Sequence, residues 1–216
     1  MAAPCAPWHC VRGPVRNGGS VRPLNLAVRP TMRRTSSFIL LVALAPGVWA
    51  EDTLWQRLMT ESDMVVFIRH TQPAGTDGLA WDQSGNCEGE AMLTSDGKAH
   101  AKRIGEAFSK RGIKPIVISS PLCRCRDTAQ IAFGDKPVTD ADLRAFGDTD
   151  SNQVKTFERT AQTLIATRRG SVPVVFVSHR PNIDRLTMEL IDYGELIVGK
   201  ANARGESEVL GKIKIQ

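Results

Sequence analysis

Three short apolar runs punctuate the chain after residue 60: Met64-Val65-Val66-Phe67-Ile68, Ile116-Val117-Ile118 and Val174-Val175-Phe176-Val177. Each is continuous rather than alternating and is bounded by polar residues. That is the pattern of a strand covered on both faces, as in a parallel sheet. Helical periods lie between them. Thr94 stands where an N-cap belongs, Ala101, Ile104, Ala107 and Phe108 recur at helical spacing behind it, and Gly112 closes the segment after Arg111. A second helix is predicted over about residues 122–132. A third covers 154–168, with Val154, Phe157, Ala161, Leu164 and Ile165 on one face, and a fourth runs from about Asn182, read as its cap, to Ile191. A short helix over 51–60 and an edge strand at Lys136-Pro137-Val138 complete the centre. The tail alternates in three segments, Glu195–Val198, Glu208–Leu210 and Lys212–Ile215, the last joined through Gly211. Strands alternating with helices define an α/β domain with a mostly parallel sheet.

In such sheets the ligand sits outside the carboxyl ends of the strands. Here each buried strand runs straight into chemistry: Arg69-His70, Ser119 to Arg124, and Ser178-His179. The three segments should meet on one rim. Residues 71–93 hold Gly, Pro, Asp and Asn without a period and read as a long loop, a length usually reserved for function or disorder.

The charge balance narrows the partners. Arg12, Arg16, Arg22, Arg29, Arg33 and Arg34 are six of the 28 basic residues, and residues 1–50 hold none of the 23 acidic ones. Residues 51–216 therefore carry 22 basic against 23 acidic residues, and the surplus charge that nucleic-acid binding needs is missing from the folded part. Within the basic segment, Met32-Arg33-Arg34 precedes the apolar stretch Phe38 to Ala45, then Pro46-Gly47, then Val48-Trp49-Ala50. That is the three-part layout of a secretory signal peptide, with cleavage expected before Glu51. Its apolar stretch is shorter than the roughly 20 residues a bilayer span needs. The reading is thus a signal peptide over 32–50, a non-native or disordered extension over 1–31, and a single domain over 51–216. It predicts a periplasmic or secreted product without a stable membrane anchor after cleavage. Cys87, Cys123 and Cys125 remain in that domain. Three thiols allow one bridge in an oxidising compartment, and both Cys87–Cys123 and Cys87–Cys125 are open. No metal-ligand spacing of His and Cys is present.

Two histidines and two arginines on one rim suit a multiply charged oxyanion. Guanidinium binds phosphate as a rigid fork. Neutral imidazole is a nucleophile near pH 7, and a covalent intermediate splits one difficult transfer into two easier ones. Positive groups around the transferring oxygens supply most of the remaining catalysis, so no metal or cofactor is required.

The residues resemble a known family at this point. Phe67-Ile68-Arg69-His70-Thr71-Gln72 is similar to the Arg-His motif of the histidine phosphatase superfamily, branch 1, which includes the phosphoglycerate mutases. Leu93-Thr94-Ser95-Asp96-Gly97 resembles its helix start. Ser119-Ser120-Pro121-Leu122-Cys123-Arg124, followed by Thr128-Ala129, resembles its second-arginine segment, and Val177-Ser178-His179 its second-histidine motif. The four occur in the family's order. The resemblance implies a phosphoglycerate mutase-like three-layer α/β/α sandwich, with His70 as the phosphorylated nucleophile. It makes Arg69, Arg124 and His179 phosphate ligands, with Thr71 and Gln72 lining the pocket.

Three departures qualify it. Thr71 and Arg180 replace the usual glycines, and Arg180 adds a charge at the mouth that suits an acidic substrate. The stretch in which relatives carry a proton-donating Glu reads Leu143-Arg144-Ala145-Phe146, which leaves Asp142 and Asp148 as the candidate general acids. The tail and the Cys87/Cys123 pair look closer to an exported subgroup than to the mutases. His100 is read as structural, and Arg126 as a helix-surface charge. The expected function is an exported phosphomonoesterase acting on a small or surface-linked phosphate ester. The alternatives are a catalytically weak phosphate-ester binding or sensing module, and a mutase-like phosphotransferase.

Overall fold

The computed structural model describes residues 46–147 and 150–216, with side chains from residue 51 onward. The extension and most of the signal segment expected over 1–50, and the candidate acid Asp148, lie outside the described residues.

Six strands form one sheet: β1 (Met64–Arg69), β2 (Ile116–Ser119), β3 (Val138–Thr139), β4 (Val174–Ser178), β5 (Leu196–Ala201) and β6 (Ser207–Ile213), in the order β3-β2-β4-β1-β5-β6. The four strands β3, β2, β4 and β1 run parallel, while β5 and β6 add an antiparallel margin. The helices are α1 (Pro46–Thr60), α2 (Ser95–Ser109), α3 (Cys123–Phe133), α4 (Ser151–Arg168) and α5 (Arg180–Thr187).

All six residues of β1 and all five of β4 are buried, as their unbroken apolar pattern requires. Alternate residues feed two cores. Val66, Ile68, Val175 and Val177 pack with Leu54 and Trp55 of α1, Ile104 and Phe108 of α2, and Ala129 of α3. Val65, Phe67, Val174 and Phe176 pack on the other face with Phe157, Ala161 and Ile165 of α4 and Ile183 of α5. A fully buried Phe such as Phe67 or Phe176 contributes about 3–5 kcal/mol relative to Ala. The result is the three-layer sandwich expected.

Several boundaries moved for physical reasons. Helix α1 begins at Pro46, ahead of the expected Glu51, since Pro is tolerated in a first turn. Helix α5 stops at Thr187 because Met188 turns left-handed (φ 60°). The tail holds two strands rather than three: Gly211 is extended and carries β6 through, with a register irregularity opposite at Val198/Gly199. Asn182 does not cap α5. It lies inside the helix, buried, and donates from Nδ2 to the Arg144 carbonyl at 3.1 Å. No described helix is long and apolar enough to cross a membrane.

Candidate active site

The rim is built by strand register. Arg69 on β1 pairs with Ser178 on β4, and Ser119 on β2 pairs with Val177. The three strands therefore end at one level. The ladder continues one step further, with the His70 amide donating to the Ser178 carbonyl (3.0 Å) and the Ser120 amide to that of Val177 (2.9 Å). This sets the rings of His70 and His179 side by side, centroids 5.3 Å apart. Arg124 enters from the first turn of α3 and is 1% exposed despite its charge.

Each ring has a defined partner set. His70 Nδ1 lies 2.9 Å from the Thr71 carbonyl, which can only accept, so Nδ1 carries a proton and Nε2 faces the rim. His179 Nε2 donates to Ser120 Oγ (2.8 Å), while its Nδ1 receives from Arg124 Nη2 (3.2 Å). Burial, reinforced by the charges of His70 and Arg124, holds the His179 pKa well below 6.5, so this ring is neutral. The Cys125 thiol beside it, 3.5 Å from Nε2, is pushed far above its ordinary range by burial and stays inert. Arg69 Nε and Arg124 Nη1 are buried donors without a protein partner, as groups aimed at a ligand anion would be.

The expected pocket is only partly as anticipated. His70, Arg69, Arg124 and His179 come together. Thr71 is buried, but its amide and hydroxyl are engaged by Thr128 Oγ1 at 3.1 and 3.3 Å, behind the rim. Gln72 is exposed and its side chain donates to the Pro73 carbonyl. Its backbone instead abuts α2, where a Cβ on Gly97 would stand 2.3 Å from the Gln72 carbonyl oxygen. That contact gives the Gly97 of the helix-start motif its reason. Thr94 caps α2 as expected, accepting from Gly97 N at 2.9 Å. Arg180 is exposed at the start of α5. Asp142 is not at the rim: its carboxylate accepts from Thr160 on α4. Arg126 is not a surface charge. It is half-buried and donates to the Gly85 carbonyl at 3.0 Å.

Two rim residues escaped the sequence reading. Tyr193, from the turn before β5, lies under the Arg69 guanidinium at 3.5 Å and beside the His70 ring at 5.5 Å. Asp77, from the long loop, stands at the centre. Its Oδ1 is 3.0 Å from His70 Nε2 and 2.8 Å from Arg124 Nε, and its Oδ2 is 3.3 Å from Arg69 Nη2. Burial alone would raise its pKa. The hydrogen bond and charge of His70, with Arg124 and His179, outweigh this and hold it well below the ordinary carboxylate range. The pair Gly75 and Gly78 around Asp77 was the available signal, but no spacing rule connects it to His70.

His70, Asp77 and His179 bring ligand atoms within 4.8 Å of one another, the geometry of a candidate cation site. Two guanidinium groups already neutralise that carboxylate, so the set suits an anion better than a metal ion.

The loop is strapped down over this rim. Cys87 is bridged to Cys123, next to Arg124, and Cys125 stays free and buried. Glu90, itself buried, accepts from the Cys123 amide (2.7 Å) and the Asp82 amide (2.9 Å). Arg124 Nη2 donates to the Gly78 carbonyl at 2.8 Å.

Known proteins place the molecule. Residues 65–162 match the model of the histidine phosphatase superfamily (branch 1), a span that ends before His179. Solved structures share the fold. The TTHB049 protein of Thermus thermophilus is 20% identical over 70% of this chain and 99% of its own, with a TM-score of 0.50. A candidate alpha-ribazole-5'-P phosphatase from Escherichia coli K-12 is 16% identical over 69% and 95%, with a TM-score of 0.51. A protein histidine phosphatase SixA solved with tungstate is 15% identical over 69% and 96%, with a TM-score of 0.49. Among curated proteins no sequence match was found.

Proposed function

We propose that the protein is an exported phosphomonoesterase that transfers the phosphoryl group of its substrate to His70 Nε2 and releases inorganic phosphate after attack by water. The observation that carries this reading is the convergence of His70 Nε2, Arg69, Arg124 and His179 on one rim, with buried guanidinium nitrogens left for an anion. The Thr71 carbonyl fixes the His70 tautomer, so Nε2 is the ring nitrogen that faces substrate. Arg69 and Arg124 stabilise charge on the equatorial oxygens during transfer. His179, neutral through burial, accepts from Arg124 Nη2 and so holds that guanidinium at the rim.

Export is supported by the signal-like segment over 32–50 and by the Cys87–Cys123 bridge, which persists in oxidising compartments. Arg180, exposed next to His179 in sequence, favours an acidic phosphate ester, small or surface-linked. The test is hydrolysis of an aryl phosphate by the 51–216 domain against its His70→Ala variant, with acid-labile phosphate counted on the quenched protein. Activity and label in the first and neither in the second are expected. Equal rates in both would overturn the reading.

A further inference from the structure

Asp77 is the one carboxylate among the described residues that touches the reacting nitrogen, and it does so from inside the phosphate cradle. Its two oxygens lie 3.0 and 3.2 Å from His70 Nε2. A carboxylate has no proton to give there, and His70 Nδ1 is already committed to the Thr71 carbonyl. Both ring nitrogens are therefore protonated while Asp77 is in place, and the ring has no lone pair with which to attack. Arg124 Nε lies 3.3 Å from the same Nε2 but 2.8 Å from Asp77 Oδ1, and the shorter, charge-paired contact takes its proton. In this state the nucleophile is masked and the cradle is filled by the protein's own anion.

We propose that Asp77 is the proton carrier of the reaction: substrate phosphate displaces it from the Arg69–Arg124 cradle, it leaves with the His70 Nε2 proton, and it delivers that proton to the departing alcohol. This rests on the phosphohistidine reading above. The steps balance. The Nε2–H bond breaks and a carboxylic O–H forms on Asp77, which frees the Nε2 lone pair. Nε2 bonds to phosphorus as the P–O ester bond breaks, and the leaving oxygen takes the Asp77 proton. Water then attacks phosphorus. Asp77 carboxylate takes one water proton, the P–N bond breaks, and HPO₄²⁻ departs. The proton on Asp77 returns to Nε2 and the pair re-forms.

The surroundings support each requirement. The charges that keep Asp77 ionised are the ones that a bound phosphate dianion would claim, and the carboxyl, left beside that dianion, then favours its protonated form. Movement is available, because Gly75 holds a left-handed turn (φ 78°) two residues before Asp77 with open space around it. Return is ensured because the far end of the loop is tied through Cys87–Cys123, Glu90 and Arg126. The loop also packs on the 144–147 stretch: the Trp81 ring lies 6.0 Å from the Arg144 guanidinium, and a Cβ on Gly147 would sit 3.5 Å from Leu79.

The experiment compares rapid-quench phosphorylation of the unaltered full chain, Asp77→Asn and Asp77→Ala by 4-nitrophenyl phosphate and by phenyl phosphate. It is paired with titration of inorganic phosphate by calorimetry. The better leaving group needs little proton donation, so its rate should fall by less than about tenfold in both variants. The poorer one should fall by about 10²- to 10⁴-fold. Phosphate should bind the variants tighter, on the order of tenfold, since the competing anion is gone. Equal losses for the two esters, or phosphate affinity unchanged or weakened, would overturn the role of Asp77 alone. Absence of phosphoenzyme in the unaltered chain with either ester would overturn the phosphohistidine reading and this one with it.

Discussion

The rim of the sheet and the strap across it do opposite work. The rim is made by strands that the core holds from both faces, and it contributes only neutral or cationic groups: His70, His179, Arg69, Arg124. The strap, residues 71–93, has no regular element and contributes the single anion, Asp77. One region is positioned by burial of apolar surface and backbone ladders. The other is positioned by a disulfide, a buried Glu and the attraction of its carboxylate for the rim. Paired guanidinium groups are costly to leave without a counterion in a low-dielectric pocket. The strap relieves that cost with the Asp77 carboxylate.

The sharpest way to break this division is to remove the rim's central cation. Arg124→Lys keeps the charge but loses the fork that reaches Asp77, Gly78 and His179 at once. It should lower kcat/KM for an aryl phosphate by about 10²- to 10³-fold, and steady-state kinetics would show it. A loss under tenfold would mean that the rim works as diffuse charge and not as geometry.

Next in size is the strap's tether. Cys87→Ser with Cys123→Ser should lower unfolding stability by about 2–4 kcal/mol, read by urea titration. Hydrogen exchange should quicken across 74–90 while β1 and β4 stay protected. Exchange that rises equally in the strands would show that the two regions are one cooperative unit.

Acid tests the rim through His179. Its folded pKa is depressed, so the unfolded chain binds the proton first as pH falls. Stability from this group is full above about pH 6.5 and declines below it, by at most about 1.4 kcal/mol per pH unit. Thermal melts from pH 7.5 to 5 would measure the decline, and His179→Gln should flatten it. The strap's Asp77 behaves in the other range. Its pKa is depressed too, but as a carboxylate it keeps its contribution until the pH falls below the ordinary value near 3.8.

The smallest effect expected is at Tyr193. Tyr193→Ala removes the face under Arg69 and should raise the KM for an aryl phosphate about two- to fivefold, with kcat little changed, matching roughly 0.5–1 kcal/mol for a partly exposed cation–π contact. A larger fall in kcat would place Tyr193 in the chemistry.

Much of the rim was legible in advance. Met64–Ile68, Ile116–Ile118 and Val174–Val177 are continuous apolar runs, and a residue directly after such a run lands at the strand's carboxyl end whatever the rest of the chain does. That is why His70, Arg69 and His179 were found. Thr94 was legible for the same local reason, since a cap acts on its own next turn. Errors fell where partners are distant in sequence. Arg126 reads as surface charge until the 82–88 stretch closes over it, and Asn182 reads as a cap until Arg144 offers it a carbonyl. Thr71 and Gln72 follow the nucleophile in sequence, yet the chain turns there, burying one against Thr128 and exposing the other. One of the two candidate acids, Asp142, is spent on Thr160.

By itself, then, the amino-acid order determined the α/β class, the parallel rim and the four cationic or imidazole groups on it, because hydrophobic period and strand ends are local properties. Only the tertiary structure decided which carboxylate meets them, which cysteine Cys87 bridges, and that Tyr193 backs Arg69. Those choices depend on where an aperiodic loop closes. Loop closure is set by distant contacts made at once, including Cys87 with Cys123, Glu90 with the Cys123 amide, and Arg124 with Gly78 and Asp77. No residue pattern within the loop encodes them.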